Sequence, residues 1–565
     1  MIFNLRKENK NILNIASFFF LIIFFIRFLG ELSSGNNYNW DTDHEMYFGT
    51  RLLHGELIYT KEIHDKLPLV QYFFVLPAYF KNVSIWTLFS SLISIFASIS
   101  LKNTLRKILP ELFFKLNLNN INYISNFCGS FYLFAISSLS GSLHMINHFA
   151  ASSYLLALTS ILSYSHALKN KSKIIYFFIS LIFASIAISF RPYYAPTIVL
   201  FGIWLPLRRY KLININSKIN NSKPKINKFK LLVNFCKKFL SWIILLLVFI
   251  IIFNVIPYLP NNLNFLIDGI RHNSVSLQSK NILSIIISQL VYLPFGFTTF
   301  TISASTFIFS FLTTSNYLKE YFKNNIEKND IYRLDIFFIG FLSPLLLELA
   351  ILKKHFWSHY YQLFLPFIAF SLSFLLSFLV IKLPLLINLR SINKSMINFI
   401  LIFLMTISSL EVKNSAKSFT NYKKIHPLEI QVKDIRKYID LREKNNLGKD
   451  FLHISNMYVH WKLDESRYGF PHAANIGHIS SNKWKNLNDF YDFKLPKNKD
   501  DICKQLNESG ISIIFTDNAS RNIDECFNNR DSNYINLNSY EFISKEIKVF
   551  NKKDEIKKII NLRVD

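Results

Sequence analysis

The chain has 565 residues, of which 51% are hydrophobic and 16% aromatic, with 57 phenylalanines. So much apolar sequence in long runs excludes an ordinary soluble globule and points to helices buried in lipid. The net charge of +27 would suit a nucleic-acid binder, but lysine and arginine gather in short loops between apolar runs, without the interleaved aromatics of a single-strand groove, so nucleic acid is excluded as a partner.

Residues 13–29 (LNIASFFFLIIFFIRFL) and 239–257 (FLSWIILLLVFIIIFNVIP) are each about long enough to cross ~30 Å of hydrocarbon. The first run is too long for a cleaved signal and reads as a retained span. Arg6, Lys7 and Lys10 before it place the N-terminus on the cytoplasmic side. An outer loop then runs to about residue 68, followed by an amphipathic stretch at 69–80 and a second span at 83–101. Spans 3 and 4 cover 121–139 and 145–165, and spans 5 and 6 occupy 174–207, turning outside near "FRPYY". The loop "RRYKLININSKINNSKPKINKFK" (208–230) contains no acid and belongs inside. Spans 7 to 11 are expected at 239–257, 292–314, 334–352, 361–381 and 396–410, which puts the C-terminus outside. The expectation is an all-α polytopic membrane domain of about eleven helices over residues 1–411.

From residue 412 the charges mix. Residues 427–445 read as a polar helix, and "DFLHISN" and "ISIIFTD" as short buried strands. Residues 412–565 are therefore expected to form a small extracytoplasmic α/β domain. Cys503 and Cys526 fall in it, where an oxidising compartment allows either a disulfide or two free thiols.

The first outer loop carries the densest chemistry. On a helix over 43–53, Asp43, Tyr47 and Thr50 or Arg51 share one face, and Asp41 and Glu45 another. A carboxylate there can act as a general base toward a hydroxyl, or the cluster can simply be a solvated outer loop. Arg191 in "SFRPYYAP" and the segment "KKHFWSHYYQLFLPF" (353–367) put cations at the outer ends of spans, where a charge at membrane depth wants a partner. For Lys353 and Lys354 the alternative is snorkelling to headgroups. His144 and His148, like His355 and His359, are spaced i, i+4, which suits polar packing as well as a metal or substrate contact.

The loop "DHEMYFGTRLLHGELIY" followed by "DKLPL" resembles the first outer loop of polytopic GT-C glycosyltransferases, in the branch of protein O-mannosyltransferases and aminoarabinose transferases of lipid A. That loop reads D-E-x-x-Y, then a helix ending L-L-x-G, then K-P-P-L. Asp43, Tyr47, Gly55, Lys66 and Pro68 match the pattern; His44 and Leu67 depart from it. The resemblance implies a GT-C-like membrane domain, a polyprenyl-phosphate sugar donor, an extracytoplasmic glycan, lipid or protein acceptor, and transfer with inversion in the plasma (inner) membrane. It implies Asp43 as the base and Tyr47, Lys66, Arg191, Lys353, Lys354, His355, His359 and Tyr360 as substrate-binding residues, with Asp41 and Glu45 as additional acids. The resemblance fixes no cofactor and leaves the need for a divalent ion open; Mg or Mn is compatible with three neighbouring carboxylates. Two other classes stay open: a surface-polysaccharide polymerase or ligase, with its key groups in larger loops, and a lipid-linked sugar transporter, which needs acids within spans, where Glu348 is the main candidate.

Overall fold

The structure is a computed structural model. It describes residues 2–34, 40–55, 66–112, 116–138, 143, 145–166, 170–205, 228–256, 342–352, 358–386, 427–448, 451–454, 457–463, 499–508, 511–516, 524–527, 532–536 and 548–555. The expected spans at 292–314 and 396–410, residues 334–341 of the span expected at 334–352, and residues His144, Lys353, Lys354 and His355 lie outside these.

The first helices in chain order are α1 (Ile2–Ser34), α2 (Trp40–Leu53), α3 (Leu69–Tyr79), α4 (Val83–Leu112), α5 (Leu118–Ser138), α6 (Ile146–His166) and α7 (Asn170–Phe190). Then come α8 (Lys228–Asn254), α9 (Ser343–Leu352), α10 (Leu365–Leu386), α11 (Pro427–Lys444), α12 (Met457–Leu463) and α13 (Lys499–Glu508). Strands β1 (Phe451–Ile454), β2 (Ile513–Thr516), β3 (Tyr534–Asn536) and β4 (Lys548–Lys552) complete the described elements. The chain divides into two compact units: Met1–Ser34, Thr87–Asn254 and Ser279–Asn421; and Gly35–Trp86, Val255–Gln278 and Tyr422–Asp565. The second unit draws on residues from both sides of the boundary expected at 411/412.

The first unit is helical. Leu13–Ser33, Val83–Pro110, Asn170–Phe190 and Leu232–Asn254 are long and apolar enough to cross a membrane; among the described residues there are four such helices. They expose large apolar side chains such as Phe18, Phe25, Ile175 and Leu247, as lipid-facing surfaces do, and the chain is a membrane protein. The expected third and fourth spans coincide with α5 and α6, each 21 residues long and so about 31 Å, but Ser, Asn and His within them dilute the apolar run. The expected total of about eleven spans reaches into residues outside the described ones.

Packing inside this unit follows membrane rules, in which close fit and hydrogen bonds replace hydrophobic drive. On α1, Phe20 stacks on Phe134 of α5 at 4.6 Å and meets Phe127 and Phe131 of the same helix. Between α4 and α6 runs a seam of hydroxyls, with Ser94 Oγ 2.7 Å from Ser152 Oγ, Ser100 Oγ 2.6 Å from Thr159 Oγ1 and Thr104 Oγ1 3.1 Å from Ser163 Oγ. His148 joins the seam: Nε2 lies 2.5 Å from Ser94 Oγ, and Nδ1 lies 2.9 Å from the Leu143 carbonyl oxygen. Ser152 Oγ is also 2.9 Å from Tyr132 OH on α5. One chain of hydrogen bonds through His148, Ser94, Ser152 and Tyr132 thus ties three helices. The Leu143 N–H donates to buried Glu31 Oε2 of α1 at 2.6 Å.

The second unit has its own core. Its sheet has the order β1-β2-β4-β3, with β1 and β2 parallel and β4 antiparallel to both β2 and β3. A parallel pair needs a long crossover, and here that crossover contains α12 and α13. Burial of Ile513, Ile514 and Phe515 on both faces of β2 explains its unbroken apolar sequence. Arg442 of α11 is buried against the sheet, donating from Nη1 to Asn551 Oδ1 and from Nε to the Gly448 carbonyl, each at 2.8 Å, and pairing with Glu555. Cys503 and Cys526 form a disulfide with Cα atoms 4.9 Å apart, joining α13 to the segment 524–527. In the same unit α2 lies on α3, and α12 packs on α2.

Candidate active site

The densest group of buried charges lies on α2 of the second unit. The helix begins with Asp41 and Asp43 in its first turn and has Arg51 in its last, the order that the helix dipole favours. It closes on Gly55 at φ 76°, the left-handed end for which glycine is suited. The close approach of α3 is set by Gly49, where a Cβ would sit 2.6 Å from the Phe74 carbonyl oxygen. That approach seals the inner face of α2.

Asp43 is 1% exposed, and its Oδ1 accepts a hydrogen bond from Trp461 Nε1 at 3.0 Å. One turn on, Tyr47 is buried and its hydroxyl accepts from Arg51 Nη1 at 3.1 Å, so the face expected from the sequence is continuous. Glu45 is fully buried; Oε1 pairs with Lys66 Nζ at 2.8 Å and Oε2 accepts from Gln71 Nε2 at 3.4 Å. Lys66, itself buried, thus neutralises Glu45. His44 Nδ1 lies 3.5 Å from Glu45 Oε1, and Asp41 is half-buried at the start of the helix.

The face of α12 toward Asp43 is aromatic and cationic. Tyr458 and Trp461 meet edge-on at 5.2 Å, and Lys462 Nζ lies 4.7 Å from the Trp461 ring. Tyr458 donates its hydroxyl to Glu429 of α11. Burial, then Glu429 and Asp43, push the Tyr458 phenol well up, so it keeps its proton. Burial pulls Lys462 down, opposed by the charges of Glu429 and Asp43.

In the first unit Arg191 is buried at the mouth of the short turn Pro192–Tyr194. Its guanidinium carbon stands 5.6 Å from the Tyr360 ring, and Tyr193 and Tyr360 are 5.8 Å apart. Tyr194 OH donates to the Leu363 carbonyl at 2.7 Å, which holds this turn to the segment Ser358–Phe364 that contains His359 and Tyr360. Arg191 and Tyr360, far apart in the chain, are therefore neighbours. The companion expectations for Lys353, Lys354 and His355 lie outside the described residues.

Among the described residues no group of three His, Cys, Asp or Glu side chains is placed to hold a metal ion. The α2 carboxylates instead receive N–H donors from Lys66, Gln71 and Trp461, a donor set suited to anions rather than to a cation. Sequence reasoning missed Trp461, Gln71, Glu31 and Lys462. Trp461 stands 418 residues from its partner, and no local pattern marks it.

No family model matches the chain, and no curated protein matches it. Among solved structures it is similar to an oligosaccharyltransferase of Archaeoglobus fulgidus in complex with zinc and sulfate, at 12% identity and a TM-score of 0.40, over 90% of this chain and 68% of that one. It is also similar to the archaeal oligosaccharyltransferase AglB of Archaeoglobus fulgidus in complex with an inhibitory peptide and a dolichol-phosphate, at 11% identity and a TM-score of 0.45, over 90% and 69%. Likeness this distant assigns neither fold nor activity.

Proposed function

We propose that this protein is a membrane glycosyltransferase of the GT-C type that moves a sugar from a polyprenyl-phosphate donor to an extracytoplasmic hydroxyl, with inversion. The observation that carries the reading is Asp43, a carboxylate almost wholly removed from water at the aspartate position of the loop motif. Burying a carboxylate costs several kcal/mol, and such groups concentrate where chemistry needs them. Its shell of paired charges and an indole N–H keeps it in place.

In this mechanism Asp43 takes the proton from the acceptor hydroxyl as that oxygen attacks the anomeric carbon. The bond from this carbon to the donor phosphate oxygen breaks, and its electron pair leaves with the lipid phosphate. Arg191, together with Lys353 and Lys354, offsets the charge that develops on the phosphate. Tyr47, His355, His359 and Tyr360 orient the sugar. Lys66 acts through Glu45, keeping α2 rigid. No step runs through a metal ion, although a Mg or Mn ion near the phosphate would serve the same end as the cations.

The test is to incubate the purified full-length protein with a panel of polyprenyl-phosphate sugars and measure sugar release and thermal stabilisation. Release of sugar from at least one donor is expected. Neither release nor stabilisation with any of them would overturn the reading.

A further inference from the structure

Trp461 reaches Asp43 from a helix of only seven residues, α12, and everything around the indole limits its freedom. The ring is fully buried, with Tyr458 edge-on to one side and the Lys462 ammonium over it. α12 is itself moored at two points: Tyr458 bonds Glu429 of α11, and Lys462 Nζ donates to the Lys81 carbonyl at 3.4 Å. An indole N–H can only donate and cannot ionise in water. It therefore cannot reverse its role as a hydroxyl or imidazole would, and it bonds an anionic oxygen more strongly than a neutral one.

We infer that Trp461 is a positioning residue for Asp43, holding the carboxylate ionised and in one orientation so that it can accept a proton. This rests on the reading of Asp43 as the base, and it gives the C-terminal segment a part in the chemistry. Among the described residues, the other charged and titratable groups near Asp43 include Asp41, His44, Tyr47 and Arg51 on its own helix, the Glu45–Lys66 pair, Tyr458 and Lys462 on α12, and Glu429 beyond Tyr458. Hydrogen bonding to the charged form favours that form. Stability from the contact is thus present where Asp43 is ionised and is lost as pH falls and the carboxylate protonates.

Trp461→Phe keeps the ring and removes the N–H. In full-length protein, turnover of a polyprenyl-phosphate sugar by this variant should fall roughly tenfold, with donor KM unchanged within about twofold. The acid limb of its pH–rate profile should move to higher pH. Its melting temperature should lose less on acidification than the parent's, and this difference should vanish in the Asp43→Asn background. An unshifted acid limb, with an equal drop in melting temperature in both backgrounds, would mean that the ring only packs and would overturn the inference. If the parent releases sugar from no donor, the glycosyl-transfer reading fails by itself, while the pH-dependent melting cycle still decides whether Trp461 holds the ionised Asp43. Should Trp461→Phe fail to insert, the parent and Asp43→Asn are compared alone, and identical acid limbs of melting would overturn the inference.

Discussion

The second compact unit and the α4–α6 seam of the first bury polarity in opposite ways, although the first unit also buries Glu31, paired with Arg27, and Arg191. The second holds full charges in contact, with Glu45 against Lys66, Arg442 against Glu555, and Asp43 beneath an indole. In the first, the seam between α4 and α6 is built from hydroxyls and an imidazole that needs no charge. Desolvating a charge costs several kcal/mol even when it is paired, whereas a hydroxyl hydrogen bond between membrane helices contributes only about 0.6–2 kcal/mol. Buried charges therefore demand a reason, and hydroxyls do not. On the proposed function the α2 cluster is chemistry, and the α4–α6 seam is glue.

The sharpest way to break this contrast is Asp43→Asn, which keeps size and hydrogen bonding while removing the base. Turnover should fall by roughly two to four decades, with insertion and donor stabilisation retained. Near-normal turnover in a well-inserted variant would reduce Asp43 to a structural acid. Next comes Glu45→Gln, which leaves the Lys66 charge buried without its counterion and should cost about 3–5 kcal/mol in unfolding experiments. Adding Lys66→Met should return most of that loss, since replacing both partners is far cheaper than removing one. A double variant no better than the single would show that the pair is not a closed unit.

How far the sequence foretold these arrangements differs by region, for a physical reason. Period-3.6 spacing placed Asp43, Tyr47 and Arg51 on one face, and the α2 helix has that face, closed by the bond from Arg51 to Tyr47. The runs "DFLHISN" and "ISIIFTD" marked β1 and β2, and in β2 the burial of Ile513, Ile514 and Phe515 leaves their run no polar side. The acid and base of the Glu45–Lys66 pair were visible only singly, since their meeting depends on how the chain returns between α2 and α3. Arg191 and Tyr360 were each singled out, but their contact comes from the fold. The change of composition near residue 412 sets the expected boundary; it is silent about α2 joining the unit that contains the sheet, because that grouping arises from the packing of α12 on α2.

Two smaller effects sharpen the comparison. Cys503→Ser removes a bridge between residues 23 apart in sequence, and should lower the stability of the unit containing the sheet by about 2–4 kcal/mol. A melting transition that can be assigned to that unit and does not move would mean the bridge adds nothing. The least effect is expected for Ser94→Ala in the hydroxyl seam. By analogy with hydrogen bonds between other membrane helices it should cost about 0.6–2 kcal/mol. A loss as large as that of Glu45→Gln would mean the seam carries more than glue.

The hydrogen bond from Trp461 to Asp43 also has a meaning in time. The two residues are 418 positions apart, and ribosomes add about 5–20 residues per second. Asp43 therefore leaves the ribosome roughly 20–80 s before its indole partner has been made. During that interval α2 is complete and Asp43 is without its indole contact. A chain cut short before α12 would lack this contact.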